Sequence, residues 1–298
     1  MTRTTLPPRF SVPALFPQLA GMARETVRLH PRLGPEPAID GSKLGGSLLW
    51  PADLAWPICT LPHPTMEVRG GTLVGLSKPS GNPCVGVLQL RRDDLPELGF
   101  PGDADLFHLL WCPNDHGEVF APVCRTYWHR STEVAAAPGA VPPPTVAEPD
   151  YLPRPCVLHP ERVTEYPSVY ELPDDLNASI YAWETSVGEG PLYQYELSTA
   201  AGTKVGGHIA WIQDPEVPEC DGGHRMEHLL TVQSAEFDGG SWPRWLTVEE
   251  ADVWTGPTQH RFDVQSAAGL TIGDMGALYV FICRVCAGWP VATISQSS

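Results

Sequence analysis

The chain is short of positive charge: 19 Lys and Arg stand against 35 Asp and Glu, a formal net charge of -16 over 298 residues. That balance disfavours nucleic acid as a partner, because binding a phosphate backbone needs a Lys/Arg stripe to displace counterions. It disfavours anionic membrane surfaces for the same reason and attracts basic proteins at a range set by salt. Long hydrophobic runs are missing too. Apolar stretches are cut by Pro, Gly or charge well short of a membrane span, so no membrane segment is expected. The first residues, Met1 to Arg9, lack the apolar core of a secretory signal, and a cytoplasmic address is the expectation. Cysteine is sparse and scattered. Eight occur, and Cys84, Cys112, Cys124 and Cys283 lie in apolar runs, as buried thiols of a reducing compartment would. No GxSxG, HExxH or dinucleotide-binding glycine pattern occurs, which leaves the chain without a recognisable catalytic signature.

Proline, in contrast, is abundant at 33 residues, which favours short strands and shaped loops over long helices. One helix is expected near the start, from Val12 to Leu29, with Leu15, Leu19, Met22 and Val27 along one face. Short apolar runs then follow at Leu73–Leu76, Cys84–Leu90, Leu106–Cys112, Glu118–Cys124, Ser179–Trp183, Leu229–Gln233 and Ala277–Val285, and each reads as a strand. Thr247-Val248-Glu249-Glu250 reads as a brief helix start that Gly256-Pro257 would end. Residues 135–155 carry seven prolines and little that could build a core, so an exposed connector is expected there. The predicted fold class is mainly β, an α+β arrangement with few short helices. Its expected layout is a helical segment over 1–40, β-rich repeats over 41–134 and 156–298, and the connector between them.

The word repeat rests on a pattern that occurs twice. Lys43, Gly45, Gly46, Trp50, Asp53, Pro57 and Cys59 recur as Lys204, Gly206, Gly207, Trp211, Asp214, Pro218 and Cys220, every pair 161 positions apart with no gap. A Gln-bearing strand follows in each copy, Val87–Leu90 matched to Leu230–Gln233. Gly102-Asp103 then leads to Cys112 as Gly273-Asp274 leads to Cys283, both 171 positions apart. Conserved element order with unequal loops is how a duplicated unit diverges. Paired glycines suit positive φ or close backbone approach. The lysine precedes them rather than following, so a phosphate-cradling loop is disfavoured.

Several residues are candidates for chemistry. Cys112, His116, Cys124 and His129 form C-x3-H-x7-C-x4-H and could close a tetrahedral zinc site, though buried thiols and surface histidines are the preferred reading, and no cofactor is expected. Cys283-x2-Cys286 ends a strand instead of opening a helix, which disfavours redox chemistry. Cys220 and His224 could pair a thiolate with an imidazole, and a hydrolase using His116, Cys112 or His224 is the enzymatic alternative. The preferred reading is a binding module for a basic protein or peptide. In it Lys43, Gly45, Gly46, Trp50, Asp53, Lys204, Gly206, Gly207, Trp211, Asp214 and Asp274 belong to the binding region, with Asp93, Asp94 and Asp103 helping to steer the partner. Trp56, Trp242 and Trp245 also crowd this region.

The Lys-hydrophobic-Gly-Gly motif followed by Trp and a Pro/Cys loop, the strand Val87–Leu90 running into Arg91–Pro96, and the Gly273-Asp274 segment resemble the YwqG-like family of bacterial proteins. They are more distantly similar to the eukaryotic programmed-cell-death-protein-two and Trus chaperones of a ribosomal protein. The resemblance spans roughly residues 40–130 and 200–285. It implies a duplicated β-rich fold that grips another protein, as a chaperone or adaptor, or alternatively as an immunity protein against a toxin. The related pattern often has a second Cys three positions after the first in the C-terminal copy. Gly223 stands there in this chain, which counts against a metal in that loop.

Overall fold

A computed structural model of the chain describes residues 2–69, 72–78, 81–116, 121–134 and 141–297. It is mostly β. The strands of the first part are β1 (Arg24–Arg28), β2 (Arg32–Leu33), β3 (Lys43–Leu44), β4 (Ile58–Cys59), β5 (His63–Arg69), β6 (Thr72–Lys78), β7 (Asn82–Pro83) and β8 (Val85–Arg91). They continue with β9 (Leu106–Trp111), β10 (Cys124–His129), β11 (Cys156–Val157), β12 (Glu161–Glu165), β13 (Lys204–Gly206), β14 (Glu227–Gln233), β15 (Ala277–Ile282) and β16 (Val291–Gln296). Two six-stranded sheets result, ordered β12-β1-β13-β14-β15-β16 and β10-β9-β8-β3-β11-β2, with two small two-stranded sheets, β4-β7 and β5-β6. Among the described residues no helix is long and apolar enough to cross a membrane.

The two large sheets carry one plan. Lys43 lies opposite Gln89 and Leu44 opposite Leu88, as Lys204 lies opposite Thr231 and Val205 opposite Leu230. The next pairing agrees as well: Gln89 faces His108 where Thr231 faces Tyr279, and both ladders carry a register shift at the same place, Gly86/Leu88 and His228/Leu230. A bulge inserts one residue into one strand, so its recurrence fixes the alignment. The register corrects one sequence match, since Gln89 corresponds to Thr231 and not to Gln233. The central strands β9 and β15 are buried at every residue, which is why each reads as an almost wholly apolar run, interrupted in β9 only by His108. The glycine pairs have the same conformation in both copies, with φ of 67° and 74° at Gly45 and Gly46 and 68° and 73° at Gly206 and Gly207. Close approach is added to that demand at Gly45, where a Cβ would lie 2.7 Å from the Arg154 carbonyl oxygen. At Gly207 it would collide with the Glu165 carboxylate and Thr26.

The chain divides into two compact units. One comprises Met1–Arg32, His159–Ala267 and Met275–Ser298, and the other Leu33–Leu158 and Ala268–Asp274. These are not contiguous halves, because β1 of the first sheet leads into β2 of the second and β11 of the second leads into β12 of the first.

Three local expectations fail. The segment Val12–Leu29 is not one helix: a four-residue helix α1 (Val12–Leu15) and a 3-10 turn (Pro17–Met22) precede strand β1. Pro17 breaks the turn, and the open place beside β13 is filled by Arg24–Arg28. Ser179–Trp183 is not a strand but lies within helix α2 (Asp174–Val187), where acidic Asp174 and Asp175 sit in the first turn and Leu176 and Ile180 are buried one turn apart. Thr247 does lead into a brief helix, the 3-10 turn Val248–Glu250, but that turn stops before Gly256-Pro257, which opens a further helix (Thr258–Gln265) instead of ending one. Of the run Glu118–Cys124, residues 118–120 lie outside the described residues and strand β10 starts at Cys124.

Residues 135–140 of the connector also lie outside the described residues. From 141 onward it is tied to its unit. The Asn82 Oδ1 accepts from the Thr145 amide at 2.8 Å and the Thr145 hydroxyl at 2.9 Å. Tyr151 is buried, its carbonyl accepting from the Trp111 indole at 2.8 Å and its hydroxyl donating to Asp115 at 2.6 Å.

Candidate metal centres

The repeated lysines are internal. Lys43 donates to the Ala38 and Ile39 carbonyls at 2.7 and 3.0 Å, and burial lowers its pKa to about 8 against the pull of Asp40 and Glu36. Lys204 donates to Glu165 Oε2 at 2.7 Å with both side chains buried, while the amides of Ala200 and His208 also donate to that carboxylate. Burial alone would lower Lys204 and raise Glu165, and their contact opposes both shifts. Trp50 and Trp211 are buried as well, each in a cluster with its own sheet. These four side chains are scaffold. Asp53, Asp93, Asp94, Asp103, Asp214 and Asp274 are exposed.

The same two clusters contain the cysteines. Beside Trp50, the Cys59 at the end of β4 and the Cys112 after β9 meet His63 at the start of β5 and His116 four residues beyond Cys112. Cys112 Sγ lies 3.3 Å from His63 Nε2, Cys59 Sγ lies 3.7 Å from His116 Nε2, and all four residues are buried. Beside Trp211, Cys220, His224, Cys283 and Cys286 converge in the same way. The His224 Nδ1 lies 3.5, 3.8 and 3.3 Å from the sulfurs of Cys220, Cys283 and Cys286, and the Cys220 and Cys286 sulfurs are 3.7 Å apart.

These separations are those of a tetrahedral site. Bonds of about 2.3 Å to sulfur and 2.0 to 2.1 Å to nitrogen imply edges of about 3.8 Å between two sulfurs and about 3.6 Å between sulfur and nitrogen. Each cluster offers four ligand atoms, all within 4.8 Å of one another, and each could hold a metal ion. The two clusters are also counterparts in the duplication: Cys59 and His63 match Cys220 and His224 at the 161 offset, and Cys112 matches Cys283 at the 171 offset. Where the first copy spaces Cys112-x3-His116, the second spaces Cys283-x2-Cys286, so the donor set changes from Cys2His2 to Cys3His.

The surroundings suit the role. The side-chain amides of Asn82 and Asn114 donate to Cys112 Sγ at 3.8 and 3.6 Å, and both are held in turn by the Val146 carbonyl. Burial pushes the Cys112 thiol up to about 11 while the Asn114 amide works the other way. A thiol there loses its proton only in exchange for a strong charge, which a metal supplies. In the second cluster the amide of His224 draws Cys220 down to about 6, and the Cys286 thiol, hydrogen-bonded to Cys220, is held up at about 11.

The sequence reading had two of the first four ligands and a wrong remainder. Cys124 is directly opposite Trp111 in the β9–β10 ladder, so its side chain lies on the face away from Cys112. His129 is opposite Leu106, at the far end of β9 from Cys112, and packs 5.4 Å from the Trp50 ring instead. Gly223 is no obstacle in the second copy, since His224 one position later supplies the ligand. His63 was missed, although it and His224 extend the 161-residue match and give C-x3-H at both places.

Neither a protein-family model nor a curated protein matches this chain. The fold and its clusters define a mostly β protein, duplicated in plan, with two Cys/His clusters able to hold a metal.

Proposed function

We propose that the chain is a non-enzymatic protein-binding module of the YwqG-like type, chaperone-like or an adaptor, that carries two structural zinc ions and holds a basic protein or peptide. The observation that carries this reading is the pair of equivalent four-ligand clusters. A catalytic zinc keeps one position open for water, whereas four protein ligands close the shell and leave the metal a role in stability. A tetrahedral set of sulfur and imidazole donors favours zinc over the harder cations.

The metal would pin the loop that follows each repeated tryptophan. Between Trp50 and Cys59 that loop exposes Asp53, Leu54 and Ile58; between Trp211 and Cys220 it exposes Asp214, Glu216 and Glu219. Acidic groups on a fixed loop steer a basic partner, and flanking apolar side chains add contact area once it has docked. The test is affinity capture at low salt with the wild type and with the variant Asp214→Asn, Glu216→Gln, Glu219→Gln. A basic protein recovered by the wild type and released by moderate salt or by the variant, at unchanged melting temperature, is the expected result. Recovery of no partner at low salt, or equal recovery by the variant, overturns the reading.

A further inference from the structure

The second Cys/His cluster differs from the first in what solvent can reach. Cys59 and Cys112 are buried, at 1% and 0% exposure, whereas Cys220 and Cys286 are half-buried and only Cys283, at 2%, is enclosed. Both half-buried cysteines sit in turns. Cys220 opens the tight turn that Glu219 and Arg225 close, and its carbonyl accepts from the Gly223 amide at 2.8 Å. Cys286 follows β15 in a turn where its carbonyl accepts from the Trp289 amide at 3.2 Å, next to the exposed Val285. The two turns touch: a Cβ on Gly222 would lie 3.1 Å from Cys286 Sγ.

The Cys220 and Cys286 sulfurs are 3.7 Å apart. A disulfide of about 2.05 Å needs them to close by only about 1.7 Å, which rotation of two side chains in short turns can supply. Taken alone, Cys283-x2-Cys286 is a poor redox motif, because it ends a strand instead of opening a helix. The fold gives Cys286 a different partner, 66 residues earlier in the chain, and keeps Cys283 enclosed.

We propose that Cys220 and Cys286 are a redox modification site, forming a reversible disulfide with hydrogen peroxide as oxidant while Cys59 and Cys112 stay reduced. Accessible thiols beside a resolving cysteine are those that peroxide oxidises. One thiolate takes an oxygen as the O–O bond breaks and hydroxide leaves. The other attacks the resulting sulfenic sulfur, forming the S–S bond and expelling a second hydroxide. Two electrons pass from the sulfur pair to peroxide, and the hydroxides take up two protons to become water. The disulfide needs only the two thiols. The loss of metal that accompanies it rests on the zinc reading above, since Cys283 and His224 remain as two ligands where four closed the shell.

The test is treatment of the full chain, purified under reducing conditions, with a molar excess of hydrogen peroxide. Free thiols are then blocked with N-ethylmaleimide in denaturant, and unreduced tryptic peptides are mapped by mass spectrometry. Trypsin cuts after Arg284, so Cys283 and Cys286 fall in different peptides. The expected result is one cross-linked pair joining Cys220 to Cys286, reversed by dithiothreitol, with Cys59 and Cys112 alkylated. A metal indicator should register one of two bound equivalents released. Cys283→Ser should keep the cross-link and Cys286→Ser should lose it; if neither variant folds, mapping of the wild type decides. Full alkylation of Cys220 and Cys286 after peroxide, a cross-link through Cys283, or equally fast oxidation of Cys59 and Cys112 would each overturn the assignment. A cross-link in protein that holds no metal would support the assignment and overturn the zinc reading, whereas two metals retained with no cross-link would do the reverse.

Discussion

Cys112 Sγ and His63 Nε2 lie 3.3 Å apart although 49 residues separate them, and the equivalent pair in the second copy, Cys283 and His224, is separated by 59. In both cases one partner leaves a buried central strand and the other follows the cysteine of the repeated loop by four positions. A short-range motif search sees either half alone. The sheet joins them.

Two metal equivalents per chain are expected from elemental analysis of protein made in zinc-supplemented medium. Cys112→Ser should reduce the content to one, and Cys283→Ser should do so through the other site. Each loss should be visible in the melting temperature, since structural zinc ligation contributes to folding directly. A full complement retained by Cys112→Ser would remove the first site from consideration.

The two sites should release metal at different rates. All four ligands of the first are buried, whereas Cys220, His224 and Cys286 of the second are half-buried. Chelator challenge followed with a colorimetric metal indicator should therefore show two phases, and Cys286→Ser should abolish the faster one. A single phase unaffected by either substitution would contradict the assignment.

Removing the two repeated lysines should not cost the same. Lys204→Met leaves the Glu165 carboxylate in the core without its cation, a loss of about 3 to 5 kcal/mol. Lys43→Met leaves the Ala38 and Ile39 carbonyls with their donors from the Gly41 amide and the Gln89 side-chain amide, so it should cost only the lysine's own hydrogen bonds, about 0.5 to 1.5 kcal/mol. Denaturant unfolding of the two variants measures the difference, and equal losses would show that the Lys204–Glu165 contact is not the buried pair described.

Stability should fall as the pH drops below the ordinary histidine range. Burial holds His108 and His228 down at about 3 and His208 at about 4, against 6.5 unperturbed. Protons then bind the unfolded chain first. The stability from keeping each ring neutral is complete above about pH 6.5 and is lost as the pH falls toward the folded value, at up to about 1.4 kcal/mol per pH unit for each ring. The His108 Nε2 lies 3.1 Å from Gln89 Oε1, and His108→Gln should flatten the decline between pH 6.5 and 4.5 relative to wild type. Melting curves across that range are the measurement, and an unchanged slope would count against a buried neutral His108.

Much of the plan was legible in the sequence because a duplication preserves spacing. The 161-residue match located β3 and β13, the glycine pairs with positive φ, and the cysteines after each Trp loop. The strand character of Leu106–Trp111 and Ala277–Ile282 was equally plain, since burial on both faces favours a largely apolar run, broken here only by His108. Arg24–Arg28 misled because its pattern suits a helix in isolation. Its conformation comes from pairing with β12 and β13, neither of which is near in sequence.

By itself, the sequence determined that one structural unit occurs twice, since a fixed offset survives only where the backbone tolerates no insertion, and that each copy carries a cysteine at the same place. Which cysteines and histidines meet was decided by tertiary structure alone. Side chains alternate across a strand, so Cys124 is turned from Cys112 despite lying close along the chain, while strand pairing closes the distance from Cys112 to Cys59 and His63.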